Sequence, residues 1–119
     1  MILPMACTHG VGRVVTTTDG ILSTPAASHL IRTSSGCIGG IILSASHNPG
    51  GPEEDFGVKV NGANGGPAPE KLSDAIHLAT LNLESYAIAE AATVCLGRPG
   101  RHQLGTTAVV SAQVWAHLP

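Results

Sequence analysis

Residues 39–52, GGIILSASHNPGGP, place a polar loop directly after a short apolar strand. Glycines precede the apolar residues, and such a short bounded run is typical of a strand buried on both faces. Ser46 then lies beyond the carboxyl end of this strand, where open α/β sheets bind ligands. Proline fixes φ and glycine permits positive φ, so the loop leaves the strand sharply. The stretch predicts an α/β fold with a shaped polar loop at a strand end.

The flanking sequence predicts a βαβ unit and a second helix. Ser23 or Thr24 caps the first helix, Pro25 fills its first turn, and Gly36 is expected to end it. A right-handed crossover would lay the next strand parallel to the first. In chain order the predicted elements are a strand at 11–16, the capped helix, a strand at 38–43, a strand at 58–60 and a helix starting at 67–70 with an apolar spacing near 3.6.

Composition excludes several classes of function. The 119 residues suffice for one small domain, and a net charge of −2 with 12% charged residues offers no basic surface for nucleic acid or membrane. Neither a secretory signal nor an apolar run of about 18 residues is present. Cys7, Cys37 and Cys95 are an odd number without Cys-x-x-Cys spacing. We therefore expect reduced thiols and a cytoplasmic protein.

The loop contains the elements of a nucleophilic site. A serine hydroxyl is a weak nucleophile until a base takes its proton or a phosphoryl group is exchanged between oxygens. His47 is adjacent to Ser46, and Lys59 follows on a strand that can return it to the loop. A lysine there can act as a point charge on phosphate oxygens or as an acid/base. Asp55 is expected to be a turn former that orders the segment before Lys59, and Ser, His and Asn at a strand end are also ordinary turn formers.

Several motifs occur together, and their combination is specific. SASHNPGGP at 44–52 is followed by DFGVKVN at 55–61 and NGGPAPE at 64–70, and DGILSTPA at 19–26 precedes them. In order and spacing these motifs resemble the α-D-phosphohexomutases, and the Gly-Gly-Pro resembles the phosphoglucomutase branch. The resemblance covers about Gly10 to Tyr86. It implies an α/β fold that is part of phosphohexomutase domain I, a mixed sheet with flanking helices.

The resemblance also implies an activity and a set of site residues. Phosphohexomutases interconvert glucose 1-phosphate and glucose 6-phosphate through a phosphoserine, with Mg²⁺ as cofactor and glucose 1,6-bisphosphate as activator. Ser46, His47 and Lys59 would be the catalytic residues. Ser46 would carry the phosphoryl group and contact the metal through it, and Lys59 would be the acid/base. His47, Asn48 and Ser44 would position the loop.

Much of the family pattern is missing from this chain. The opening strand with its Gly-Thr-Ser-Gly-Leu-Arg-like loop, the aspartate metal loop, the sugar-recognition loop and the C-terminal phosphate loop are absent. We interpret residues 1–89 as partial domain I. Residues 90–119 diverge, and we expect an irregular, poorly ordered tail or a sequence from an altered splice or reading frame.

Three interpretations follow. The first is a truncated phosphoglucomutase that binds a hexose phosphate, binds neither nucleic acid nor membrane, and is inactive alone. The second is a non-catalytic phosphoglucomutase-like structural or binding protein. The third is a fragment that does not fold stably. The sequence leaves the oligomeric state open.

Overall fold

A computed structural model describes residues 1–90, 93–105 and 108–113. Besides a 3₁₀ turn at Thr18–Gly20, its elements are α1 (Ile2–Thr8), β1 (Arg13–Thr17), α2 (Thr24–Thr33), β2 (Gly39–Leu43), β3 (Val58–Gly62), α3 (Glu70–Leu81), β4 (Gly100–Leu104) and β5 (Ala108–Gln113). The predicted helices and the strands up to β3 are thereby confirmed as elements. No described helix is long and apolar enough to cross a membrane.

The first compact unit comprises Met1–Leu22 and the described residues of 83–118. Its sheet has the order β1-β5-β4, with β5 parallel to β1 and antiparallel to β4. The side chains of Val110 and Leu104 form the buried centre, and Leu3 of α1 is among the residues that pack against it. Burial of such aliphatic side chains is the main stabilising contribution in a small unit.

The second compact unit, Ser23–Asn82, contains the polar loop. Its two strands, β2 and β3, are antiparallel, and α2 packs on β2 with Leu30 and Ile31 buried. At Gly40 an added Cβ would lie 2.5 Å from Ile31 Cδ1. A larger residue there would therefore require the buried Ile31 side chain to shift.

Both helices of the second unit start where the sequence predicts, but α2 ends at Thr33 with Ser34 as its C-cap, ahead of the expected stop at Gly36. Ser23 is the N-cap of α2 and Pro25 lies in its first turn, although no side-chain capping hydrogen bond forms. The apolar stripe of α3 has the predicted spacing, but Leu72 and Ile76 are exposed and no residue of this helix is buried.

The predicted parallel pairing of the first two strands is wrong. β1 pairs with β5, and β2 pairs antiparallel with β3. The crossover rule fixes handedness only for strands that share a sheet. The strand that pairs with β1 is β5, which was not predicted from the sequence.

The structure also differs from the expectation of an irregular tail. Within residues 90–119 it forms β4 and β5, and the buried side chains of Leu104 and Val110 face the core of the first unit. β4 (GRHQL) is mostly polar and β5 (AVVSAQ) is rich in small residues, so neither shows a clear strand pattern and their pairing depends on distant partners. Part of the predicted tail, residues 91–92, 106–107 and 114–119, lies outside the described residues. The domain boundary at residue 89 stays a prediction.

Candidate functional site

Ser46 lies on the loop that follows β2, as the sequence predicts. The strand ends at Leu43, and Ser46 is exposed three residues later with φ 62°. This is the left-handed region, which a residue with a Cβ adopts at a cost of about 1–2 kcal/mol relative to glycine. The loop therefore holds its serine in an unfavourable backbone conformation, a feature that clusters at functional sites.

Lys59 reaches this serine from the neighbouring strand. The antiparallel register places Lys59 opposite Ile42, close to the end of β2. Its Nζ donates a hydrogen bond to Ser46 Oγ at 2.7 Å. An ammonium group only donates, so the serine oxygen is the acceptor and its own O–H remains available to a second partner. The pair thus brings a positive charge to a hydroxyl oxygen.

The start of the loop is fixed by Ser44. Its hydroxyl oxygen accepts the Ser46 N–H at 2.9 Å, and its own N–H donates to the Gly57 carbonyl at 3.0 Å. A Cβ at residue 57 would lie 2.9 Å from the Ser44 carbonyl oxygen, so glycine is needed there. Ser44 therefore holds the backbone at Ser46 from the start of the loop.

The far side of the loop is held by Asn48 and Asp55. Asn48 Nδ2 donates to Asp55 Oδ2 at 2.6 Å, and the Asp55 N–H donates to the Pro49 carbonyl at 3.2 Å. Sequence reasoning identified Asp55 only as a turn former and missed its bond to Asn48. The sequence offered one clue to this bond: Asn48 and Asp55, two short polar residues, lie on either side of a Pro-Gly-Gly-Pro run. His47 is exposed on the same loop, and within the described part of the chain its ring forms no hydrogen bond.

These residues surround an open cavity of about 380 Å³. Its lining consists of Ser44, Ala45, Ser46, His47, Asn48, Asp55, Phe56, Gly57 and Lys59. All predicted site residues therefore meet in one place. A volume of this order is within the range of small-molecule pockets, and the Lys59 ammonium favours an anion.

The described residues do not offer a complete metal site. No group of three or more His, Cys, Asp or Glu side chains is placed to hold an ion in residues 1–90, 93–105 and 108–113. A phosphate on Ser46 would add one oxygen ligand, which falls short of the six that Mg²⁺ takes. Water molecules, several of which Mg²⁺ usually keeps, and groups outside the described residues would supply the remaining ligands.

Fold and site together define an α/β domain that presents a serine, with a lysine beside it, at the end of a strand. Residues 2–87 match the family described as phosphoglucomutase/phosphomannomutase, alpha/beta/alpha domain I. The chain belongs to this family, and its α/β fold is part of domain I.

Individual relatives support the assignment. The chain is 54% identical to a phosphoglucomutase of Rhizobium radiobacter over 98 residues, and 52% identical to phosphoglucomutase-1 of Oryctolagus cuniculus over 103 residues. These matches cover 82% and 87% of this chain and 18% of each relative. A crystal structure of parafusin, a phosphoglucomutase phosphoprotein from Paramecium, matches 93% of this chain with a TM-score of 0.83 and 35% identity, and the match covers 22% of that chain. The chain therefore spans about a fifth of the length of these relatives.

Proposed function

We propose that this chain carries the phosphoryl-accepting serine of a phosphoglucomutase that interconverts glucose 1-phosphate and glucose 6-phosphate. The observation that carries the proposal is the 2.7 Å contact between Lys59 Nζ and Ser46 Oγ on the loop after β2. Because an ammonium group beside the serine can stabilise a phosphate there, we favour an enzyme over a non-catalytic phosphoglucomutase-like binding protein. Membership of the family supplies the reaction class.

The proposed step transfers a phosphoryl group between oxygens. Ser46 Oγ attacks a phosphorus atom of glucose 1,6-bisphosphate, the bond from that phosphorus to the sugar oxygen breaks, and the serine proton ends on the sugar hydroxyl. The phosphoserine then gives its phosphoryl group to the free hydroxyl of a bound hexose monophosphate, whose proton passes to Ser46 Oγ. The resulting bisphosphate reorients, and Ser46 recovers a phosphoryl group from its other position. Such transfers depend mainly on positioning and on stabilisation of the phosphate charge.

Each loop residue has a proposed part in this step. The Lys59 ammonium stabilises the negative charge on the oxygens of the transferring group, and as an acid/base it would exchange its proton with the reacting hydroxyl. His47 and Asn48 position the loop, and Ser44 fixes the Ser46 amide. By resemblance to the family, Mg²⁺ would contact the phosphate on Ser46, where it would offset the charge of the transferring group; residues 1–90, 93–105 and 108–113 offer no cluster of ligands for it.

Partners and location complete the proposal. The substrate is a hexose phosphate, with glucose 1,6-bisphosphate as activator, and neither nucleic acid nor membrane takes part. We place the protein in the cytoplasm, which agrees with the three free cysteines.

The test is to look for the phosphoserine directly. The full 119-residue chain is incubated with glucose 1,6-bisphosphate and analysed by intact mass and peptide mapping. We expect one phosphate on Ser46, none on Ser46→Ala, and a phosphate still on residue 46 in Ser44→Ala. A phosphate mapped to Ser44, or full labelling of Ser46→Ala, would show that the wrong residue has been assigned.

A further inference from the structure

The left-handed backbone conformation of Ser46 requires stabilising contacts from other residues. A residue with a Cβ stays in the left-handed region only where surrounding interactions fix the backbone. Two hydrogen bonds donated by backbone amides lie within the loop around Ser46. Ser46 N–H donates to Ser44 Oγ at 2.9 Å, and Asn48 N–H donates to the Ala45 carbonyl at 3.2 Å. Both bonds lie inside the loop itself, and all of these loop residues except Ser44 and Ala45 are exposed. They do not connect the first part of the loop to its returning segment before β3.

Asp55 lies in the segment that leads into β3 and connects the two parts of the loop. Its carboxylate accepts a hydrogen bond from the Asn48 side chain at 2.6 Å, and its backbone N–H donates to the Pro49 carbonyl at 3.2 Å. Asp55 thus forms hydrogen bonds with two consecutive loop residues, Asn48 and Pro49. Two residues after Asp55, the Gly57 carbonyl accepts a hydrogen bond from Ser44 N–H. A hydrogen bond to an ionised carboxylate is roughly twice as strong as one between neutral groups. Asp55 therefore closes the loop at the end opposite to Ser44.

We propose that Asp55 is a positioning residue that acts through Asn48 to hold Ser46 in its left-handed conformation with its hydroxyl at the Lys59 ammonium. Asp55 has no contact with the reacting oxygen and transfers no proton. Its effect on phosphoryl transfer rests on the proposed function, whereas its effect on the loop does not.

The proposal differs from a simple turn-forming role. A turn former at residue 55 needs only the backbone bond to Pro49, which alanine supplies equally well. The side-chain bond to Asn48 is lost in Asp55→Ala, while Asp55→Asn retains an acceptor oxygen for the Asn48 amide. The two variants therefore separate the side-chain bond from the backbone turn.

Amide hydrogen exchange, measured by NMR on the full chain, tests the loop directly. We expect exchange at the Ser46 and Asn48 amides to rise about tenfold in Asp55→Ala and by a smaller factor in Asp55→Asn, which keeps a neutral and therefore weaker bond. Amides of the β2–β3 ladder should be unchanged. Glu54→Ala, which removes a neighbouring exposed charge, is the matched control and should leave both loop amides unaffected.

A second variant keeps the test decisive if Asp55→Ala unfolds. Asn48→Ala removes the same bond from the other side, so it should accelerate exchange at Ser46 by the same factor. If the double variant folds, it should add nothing to either single one. Unchanged exchange at Ser46 in Asn48→Ala or Asp55→Ala overturns the proposal, as does exchange in Asp55→Asn as fast as in Asp55→Ala.

The rate of Ser46 phosphorylation by glucose 1,6-bisphosphate gives the functional readout. We expect Asp55→Ala to slow it about tenfold or more and Asp55→Asn to restore it. An equal loss in both variants overturns the positioning role in transfer. If the unsubstituted chain takes up no phosphate, the proposed function fails, and the exchange experiment alone decides the role of Asp55 in the loop.

Discussion

The left-handed backbone of Ser46 predicts an unusual order of stability for two variants. Ser46→Ala and Ser46→Gly both remove the hydroxyl and its bond to Lys59, so they differ only in the Cβ at φ 62°. Glycine removes about 1–2 kcal/mol of conformational strain. Its greater freedom in the unfolded chain offsets about 0.4–1 kcal/mol of this gain. We expect Ser46→Gly to be more stable than Ser46→Ala by about 1 kcal/mol, or about fivefold in the unfolding equilibrium.

Urea unfolding followed by far-UV circular dichroism measures this difference. With slopes of about 1–3 kcal/mol per M, the midpoints should differ by about 0.3–1 M. Ser44 is the matched control, because among the described non-glycine residues only Asp19 and Ser46 have positive φ. At residue 44 the order should be reversed, with the alanine variant the more stable. Equal stability of the two residue-46 variants, or a more stable alanine variant, would refute the reasoning.

Three further outcomes are expected. The chain alone should not interconvert glucose 1-phosphate and glucose 6-phosphate at an enzymatic rate in a coupled assay with Mg²⁺ and glucose 1,6-bisphosphate; turnover that depends on the loop serine would contradict this. Lys59→Met should slow phosphorylation of that serine by about 10²–10⁴-fold without abolishing it, whereas Lys71→Met should not change the mass-spectrometric time course. Gly40→Ala should lower the free energy of unfolding by about 1–3 kcal/mol in a urea titration, because its Cβ would clash with Ile31. Gly12→Ala is the control: its new Cβ has no atom within 4 Å, so the titration should show no such loss of stability.

The local features of the second unit could be predicted from the sequence. Ser23 and Pro25 define the start of α2 by rules that involve only neighbouring residues, and the apolar run before Ser44 defines β2. The approach of Lys59 to Ser46 follows from the same logic, since a strand that returns antiparallel brings its residues back to the loop. Local rules therefore sufficed to bring the candidate site together.

Features that depend on distant residues could not be predicted. The partner of β1 is β5, almost a hundred residues later, and no local pattern specifies that pairing. The bond between Asn48 and Asp55 depends on the path of the loop, which Gly and Pro permit but do not determine. The positive φ of Ser46 likewise results from its bonds within the folded loop.

The unpaired edge of β2, the strand that precedes the serine loop, affects the behaviour of the chain at high concentration. In the two-stranded sheet, β2 pairs on one side only, and among the described residues its other edge has no strand partner. Such an edge is a template for strands of other molecules unless charge or proline blocks it, and β2 contains neither. Ile41 and Leu43 also expose about half of their surface, 55% and 49%. Association between chains should therefore begin at β2, next to the loop that carries Ser46.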